Sequence, residues 1–195
     1  TCHLSLWPVL SSVFKVFLGL GICYYDQGYP AEALEFYEYS IKSLKAHFGK
    51  HHPGLISPLV NSGLCHMTLG RFSQALASYS GALILSESLL GTDRLMSATI
   101  FHNIAVVHDQ RGDLADALRQ YAKALKIRER ALGEGDPLTA LTCHNIACIW
   151  RCQGKVAEAL KMHSRVLRVR KQGLGESLDT AESLEHVGLC NDWLG

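Results

Sequence analysis

From Gly112 to Gly133 the chain reads GDLADALRQYAKALKIRERALG. Between the two glycines, Leu114, Ala117, Leu118, Tyr121, Ala124 and Leu125 recur at intervals of three and four, the spacing of one face of an α-helix. The same bracket returns along the chain. Gly28, Gly70, Gly112 and Gly154 lie 42 residues apart, and Gly195 follows after 41. Each of the first four is followed five residues later by Ala33, Ala75, Ala117 and Ala159, then by Leu34, Leu76, Leu118 and Leu160. A second series, Gly49, Gly91, Gly133 and Gly175, has the same period. Self-similarity at a fixed period of this size marks a repeat array.

Each unit reads as two helices, with a tight turn at the first glycine and a loop at the second. The expected helices are 9–27 and 30–48, 57–69 and 72–90, 95–111 and 114–132, 138–153 and 156–174, then a lone 179–194. The chain 1–195 is thus one array of four repeats, about 9–49, 54–91, 95–133 and 137–175, plus a terminal helix at about 179–194. Asp136-Pro137 supplies a capping acceptor and a proline at the first helical position. Gly133 and Gly175 suit the left-handed residue that closes a helix. Pro58 would break a helix interior, so that helix is expected to start with Ser57 as cap and Pro58 as its first residue. Small residues (Gly21, Gly63, Ala105, Ala147 and Gly188) recur in the first helices, where two axes must come close. Tyr37, Tyr79, Tyr121 and His163 recur as bulky fillers.

These residues resemble the tetratricopeptide repeat: a small residue, a glycine turn, an alanine, a large aromatic and a further small residue (Ser40, Ala82, Ala124 and Val166). The period of 42 residues, where that repeat usually has 34, looks like the kinesin light chain type. Gln27-Gly28, Ala124-Leu125-Lys126-Ile127-Arg128-Glu129, Leu132-Gly133, Asp136-Pro137 and Asn145-Ile146-Ala147 carry that likeness. His51-His52-Pro53 fits the loop motif, Thr92-Asp93-Arg94 departs from it, and the stretch from Gly175 to Thr180 is one residue short. The resemblance implies an all-α, right-handed α-solenoid of helix-turn-helix repeats. The chain shows no heptad segment, so no motor-binding half is assigned.

Composition bounds the function. With 19 Lys+Arg against 18 Asp+Glu the net charge is +1, which argues against a dedicated polyanion binder. The 48% hydrophobic and 19% charged content excludes a disordered chain. Seven cysteines in no framework spacing favour a reducing compartment. The apolar run from Val9 to Tyr25 is interrupted by Ser11, Ser12 and Lys15 and obeys the repeat, so it reads as a first helix rather than a leader or a membrane span. Because the chain opens on Thr1, it is read as a fragment of a longer protein. A cytoplasmic setting follows, with the cytoskeleton as one that the resemblance allows.

Stacked repeats bury a continuous core and leave one long concave surface, which the resemblance lines with the first helix of each unit. The residues expected there are Lys15, Leu18, Ile22 and Tyr25, then Val60, Asn61, Leu64 and Met67. Thr99, His102, Asn103, Val106 and Asp109 follow, and after them Leu141, His144, Asn145, Cys148 and Arg151. This mixed trough suits an extended peptide or a helix. Asn61, Asn103 and Asn145, 42 residues apart, form a ladder of amides able to donate to and accept from a peptide backbone. The resemblance assigns asparagines at this position that role. The alternative is that each amide bonds a neighbouring helix and fixes repeat geometry. A clamp for C-terminal carboxylates is disfavoured, since it needs basic residues at Leu18, Thr99 and Leu141.

His144, Cys148 and Cys152 share one helical face, and His102 is the counterpart of His144. Zinc ligands must converge to about 2.0–2.3 Å from helix axes about 8–10 Å apart, so Cys148 reads as a small buried hydrophobe and no metal or cofactor is assigned. Catalysis is not assigned either. No zincin, nucleophile-elbow or phosphate-loop motif occurs, and Gly19-x-Gly21 and Gly133-x-Gly135 follow no strand. His66, His108 and Trp150 occupy the slot of Tyr24 and read as core or groove wall. Lys161, Arg165, Arg168 and Lys171 form a helical stripe, by default a solvated face and otherwise a steering patch for an acidic partner. The sequence therefore reads as a non-enzymatic adaptor for a peptide with hydrophobic and acidic residues, with no nucleic-acid or membrane partner. The alternative is a self-assembling scaffold that uses Leu184, Val187, Leu189, Trp193 and Leu194 on the terminal helix.

Overall fold

The computed structural model of the chain describes residues 7–90, 95–174 and 177–194. Among them every regular element is helical: α1 (Trp7–Asp26), α2 (Pro30–Phe48), a 3-10 turn (Pro53–Leu55), α3 (Ile56–Thr68), α4 (Phe72–Leu90), α5 (Leu95–Gln110), α6 (Leu114–Leu132), α7 (Pro137–Cys152), α8 (Val156–Leu174) and α9 (Leu178–Leu194). Gly91, Thr92-Asp93-Arg94, Gly175 and Gly195 fall outside the described residues. The chain divides into two compact units, Thr1–Val107 and His108–Gly195. No helix among the described residues is long and apolar enough to cross a membrane.

The glycine turns are the local reason for the hairpins. Gly28, Gly70, Gly112 and Gly154 have φ of 84°, 70°, 81° and 76°, conformations that side chains resist. At each, the following N–H reaches back to a carbonyl of the last helical turn, as Tyr29 does to Tyr24 at 2.9 Å and Lys155 to Trp150 at 2.9 Å. The glycine N–H itself bonds the carbonyl three residues earlier, Gly28 to Tyr25 at 2.9 Å and Gly154 to Arg151 at 3.0 Å. This paired bonding satisfies the orphan carbonyls of the helix end and stops the helix. The second glycine series differs from expectation. Gly49 (φ 81°, ψ 174°) and Gly133 (φ 86°, ψ 173°) are not left-handed helical but extended at positive φ, a region essentially reserved for glycine.

Two further boundaries were set by neighbours. Asp136 Oδ1 accepts from the N–H of Leu138 at 2.8 Å and of Thr139 at 3.4 Å, with Pro137 opening α7 as expected. The Ser57 cap is corrected: α3 begins at Ile56, directly after the 3-10 turn, whose start His52 caps by accepting the Gly54 N–H at 3.1 Å. Pro58 is therefore the third helical residue. It is still tolerated, because first-turn N–H groups have no intrahelical partner.

In the first unit α1 packs on α2, α2 on α3 and α3 on α4. Its core gathers Leu44, Leu55, Ile56, Tyr79, Leu85, Ile100 and Val107, with a second cluster of Ala33, Leu34, Tyr37 and Cys65. Tyr37 and Tyr79 are buried against glycines. A methyl added at Gly21 would lie 2.5 Å from Tyr37 Cε1, and one at Gly63 would lie 2.6 Å from Tyr79 Cε1. In the second unit α6 packs on α7, α7 on α8 and α8 on α9. Arg128 of α6 is buried there and donates to the Leu138 carbonyl at 2.9 Å and to Thr142 Oγ1 at 2.7 Å, tying α6 to α7.

Gly63→Ala is expected to lower the unfolding free energy by about 1–3 kcal/mol through overpacking against Tyr79. Gly188→Ala meets no atom within 4 Å and should be neutral or raise stability by up to about 1 kcal/mol from helix propensity. Urea midpoints of the two variants check this; equal effects would remove the tyrosine contact as the reason for the glycine.

Candidate functional site

The ladder asparagines sit half-buried on first helices: Asn61 on α3, Asn103 on α5 and Asn145 on α7. Two of them are held by a tyrosine of the preceding repeat. Asn145 Nδ2 donates to Tyr121 Oη at 3.1 Å, and Asn61 hydrogen-bonds the Tyr37 hydroxyl. The sequence separation is 24 residues in both pairs. Burial pushes the phenols of Tyr37, Tyr79 and Tyr121 well above the ordinary tyrosine value, so they stay protonated. The middle pair is different: Tyr79 Oη is buried with no hydrogen-bond partner, so Asn103 does not close the equivalent bond. A side-chain amide has two N–H donors and a carbonyl with two lone pairs. One bond to a tyrosine therefore fixes the amide without exhausting it.

The other expected site residues are distributed as follows. In the first unit, Leu64, Met67 and Val106 are half-buried, and Met67 packs against the core. His102 departs from the expectation of a groove-lining residue: only 7% of it is exposed, because α5 turns that side of the helix into the core. In the second unit Asp109, Asn145 and Cys148 gather around Tyr121, and Arg151 lies near Cys148. Burial raises the Asp109 carboxyl above its ordinary value, and Asp109 is an electrostatic neighbour of both Tyr121 and Cys148. Burial also pushes the Cys148 thiol up to about 11, against the opposing charge of Arg151. His144 does not stand free on the helix surface. Its ring packs edge-on against His163 of α8 and His186 of α9, with centroids 5.6 and 5.1 Å away.

The basic stripe is only partly solvated. Arg165 is held by Glu129 at 2.8 Å and by Glu134 at 4.0 Å, while Lys161, Arg168 and Lys171 are exposed. Lys161, Arg165 and Arg168 line a cleft of about 680 Å³ with Trp150 and Met162. A second cleft, of about 390 Å³, shares Trp150 and Met162 and is walled by Leu118, Ala122 and Leu125. None of the expected site residues lines either cleft. Sequence reasoning had placed Trp150 as a wall and the stripe as a surface.

The chain matches the tetratricopeptide repeat family over residues 17–54, 54–130 and 97–172. It belongs to that family, whose arrays serve as protein–protein interaction scaffolds. Among solved structures its fold is similar to BtubC (BKLC) from P. vanneervenii, with a TM-score of 0.83 at 21% identity, covering 96% of this chain and 76% of that one. It is also similar to a Podosopora anserina kinesin light chain protein described as having nearly identical TPR-like repeats. There the TM-score is 0.76 at 16% identity, with 93% and 86% covered. MamA follows with a TM-score of 0.60 at 19% identity, with 82% and 79% covered. No curated protein sequence matches the chain. The solenoid of long, kinesin light chain-like repeats is thus the fold, as the resemblance implied.

Asn145→Ala should lower the unfolding free energy by about 1 kcal/mol, because it removes the bond that Asn145 donates to the buried Tyr121 hydroxyl. Asn103→Ala breaks no such bond and should be the milder change. Denaturant titrations of the two single variants give the comparison, and a larger loss for Asn103→Ala would invert the assignment.

Proposed function

We propose that the chain is a non-enzymatic adaptor that takes up a short linear segment of another protein on the faces of its first helices, in a cytoplasmic setting. Family membership supports the general role, and the asparagines support the mode. Asn145 keeps one N–H and the carbonyl oxygen after donating to Tyr121, Asn61 likewise spends one position of its amide on Tyr37, and Asn103 spends none on Tyr79. Such amides hold peptide backbone without choosing sequence. Leu64, Met67 and Val106 supply apolar contacts for hydrophobic anchors, and Arg151 meets acidic residues. Asp109 and Cys148 lie at the half-buried margin of that surface.

Peptides enriched on the intact chain from a displayed random library test this reading. The enriched sequences should combine apolar anchors with Asp or Glu. The double variant Asn103→Ala with Asn145→Ala, checked for helicity by circular dichroism, should bind the best of them about tenfold or more weakly. Unchanged affinity would remove the amide mechanism.

One observation favours a second reading, self-association. Along α9, Leu178 is 89% and Trp193 75% exposed, with Leu184, Leu189 and Leu194 also at the surface. Apolar patches of this kind mark interfaces. Light scattering decides: a dimer that dissociates on Trp193→Glu supports assembly through α9, and a monomer at all concentrations rejects it.

A further inference from the structure

The fourth repeat departs from the pattern of the first three in a coordinated way. Where the earlier repeats have Tyr37, Tyr79 and Tyr121, the fourth has His163. Where the asparagine 24 residues later should stand, the chain has Val187. The Tyr–Asn bond is therefore impossible here, and other polar groups take its place. His144 and Cys148 lie one helical turn apart on α7, and Glu182 and His186 lie one turn apart on α9. The two pairs face each other. His186 stacks on His163 with centroids 4.7 Å apart and an interplanar angle of 6°, and His144 meets both rings edge-on.

Three donor atoms from two helices converge, and a carboxylate oxygen lies beside them. Cys148 Sγ lies 3.6 Å from His144 Nε2, and Glu182 Oε1 lies 4.0 Å from His144 Nε2 and 3.9 Å from His186 Nε2. One ligand atom each from His144, Cys148 and His186 all fall within 4.8 Å of one another. A tetrahedral ion with bonds of about 2.0–2.3 Å to nitrogen, oxygen and sulfur sets its ligand atoms about 3.3–3.6 Å apart. The sulfur–nitrogen edge already has that length, and the two carboxylate–imidazole edges need to close by about half an ångström; Glu182 Oε1 lies outside the group within 4.8 Å, so its side chain must also swing toward Cys148 Sγ to complete the tetrahedron.

The surroundings leave these groups uncommitted. His163 is fully buried, yet neither of its ring nitrogens has a hydrogen-bond partner, and Nδ1 of His144 and of His186 is likewise buried without one. Buried polar atoms of native proteins are nearly always satisfied, so such a concentration needs a reason. Glu182 is itself oriented: Arg170 donates to its Oε2 at 3.0 Å while also bonding the Asp179 carbonyl and Ser183 Oγ, each at 2.8 Å. That leaves Oε1 turned toward the two imidazoles, the kind of outer support that fixes a metal ligand.

We propose that His144, Cys148 and His186, with Glu182 as fourth ligand, form a binding site for a divalent transition-metal ion of the zinc class. The donor set decides the class: two imidazoles and a thiolate suit zinc or cobalt and not the oxygen-seeking calcium or magnesium. On binding, the metal–sulfur bond forms as the Cys148 thiol proton leaves to solvent. Because α7 and α9 each give two ligands, the ion staples the last helix to the fourth repeat. The sequence argument against a metal considered His102, His144, Cys148 and Cys152. Cys152 is exposed and takes no part in the cluster.

Cobalt(II) titrated into the full chain, after dialysis against a mild chelator, is the test. The expected result is one equivalent bound per chain, with the visible bands of a tetrahedral ion and a near-ultraviolet thiolate charge-transfer band, all displaced by zinc. Cys148→Ser should abolish the charge-transfer band, Glu182→Gln should weaken cobalt binding about tenfold or more, and Cys152→Ser should change neither. Zinc should raise the melting temperature of the parent chain and not that of His186→Ala. A chain that gives no charge-transfer band, or a band that survives Cys148→Ser, overturns the proposal. Should Cys148→Ser lose its helical signal, the Glu182→Gln titration decides alone, and unchanged cobalt affinity there overturns the proposal equally.

Discussion

The contact between a tyrosine ring and a residue without a side chain sets the geometry of the first two repeats. Tyr37 lies over Gly21 and Tyr79 over Gly63 at distances that a single methyl would violate. Such an approach lets the two helices of a hairpin share one aromatic filler at crystal-like density. It also fixes where the phenol oxygen ends up, buried and aimed at the next first helix. The hydroxyl then needs a partner, and an asparagine 24 residues further on supplies one for Tyr37 and Tyr121. Packing inside one repeat thus positions an amide of the next.

This coupling reconciles two roles that the sequence set against each other. An asparagine that fixes repeat geometry and an asparagine that holds a ligand's backbone compete only if one hydrogen bond uses up the amide. A bond to tyrosine consumes one donor of a group with four hydrogen-bonding positions. It also removes rotamer freedom that the proposed ligand binding would otherwise have to restrict. The fourth repeat breaks the coupling and reuses the space. His163 is smaller than tyrosine, Ala147 is larger than glycine, and the volume and polarity so exchanged are filled by imidazoles from α7 and α9.

Much of the fold was legible because its causes are local. The glycine period, the paired turn bonds at Gly28 through Gly154, the Asp136 cap and the burial of the tyrosines all follow from a few adjacent residues. Pro58 was misplaced because the 3-10 turn before α3 is set by His52 and the loop, not by the helix pattern. Less of the site could be read. The helix period places His102 in the trough, but burial depends on how α5 rolls within its unit. Arg128 and Arg165 look solvated on a helical wheel, yet partners 14 and 36 residues away draw them inward. The histidine cluster did leave a trace, since His102, His144 and His186 share the 42-residue period. That trace became meaningful only when α9 was seen to lay His186 beside His163.

The first-helix faces and the outer cleft at Trp150 and Met162 are rival surfaces for a partner, and nuclear magnetic resonance separates them residue by residue. A nitrogen-15 spectrum of the chain with and without a bound peptide reports side-chain amides and backbone together. If the first helices are the binding surface, the side-chain signals of Asn61, Asn103 and Asn145 move while the amides around Trp150, Lys161 and Met162 stay in place. Shifts confined to that outer cleft, with the three asparagines unmoved, would contradict it.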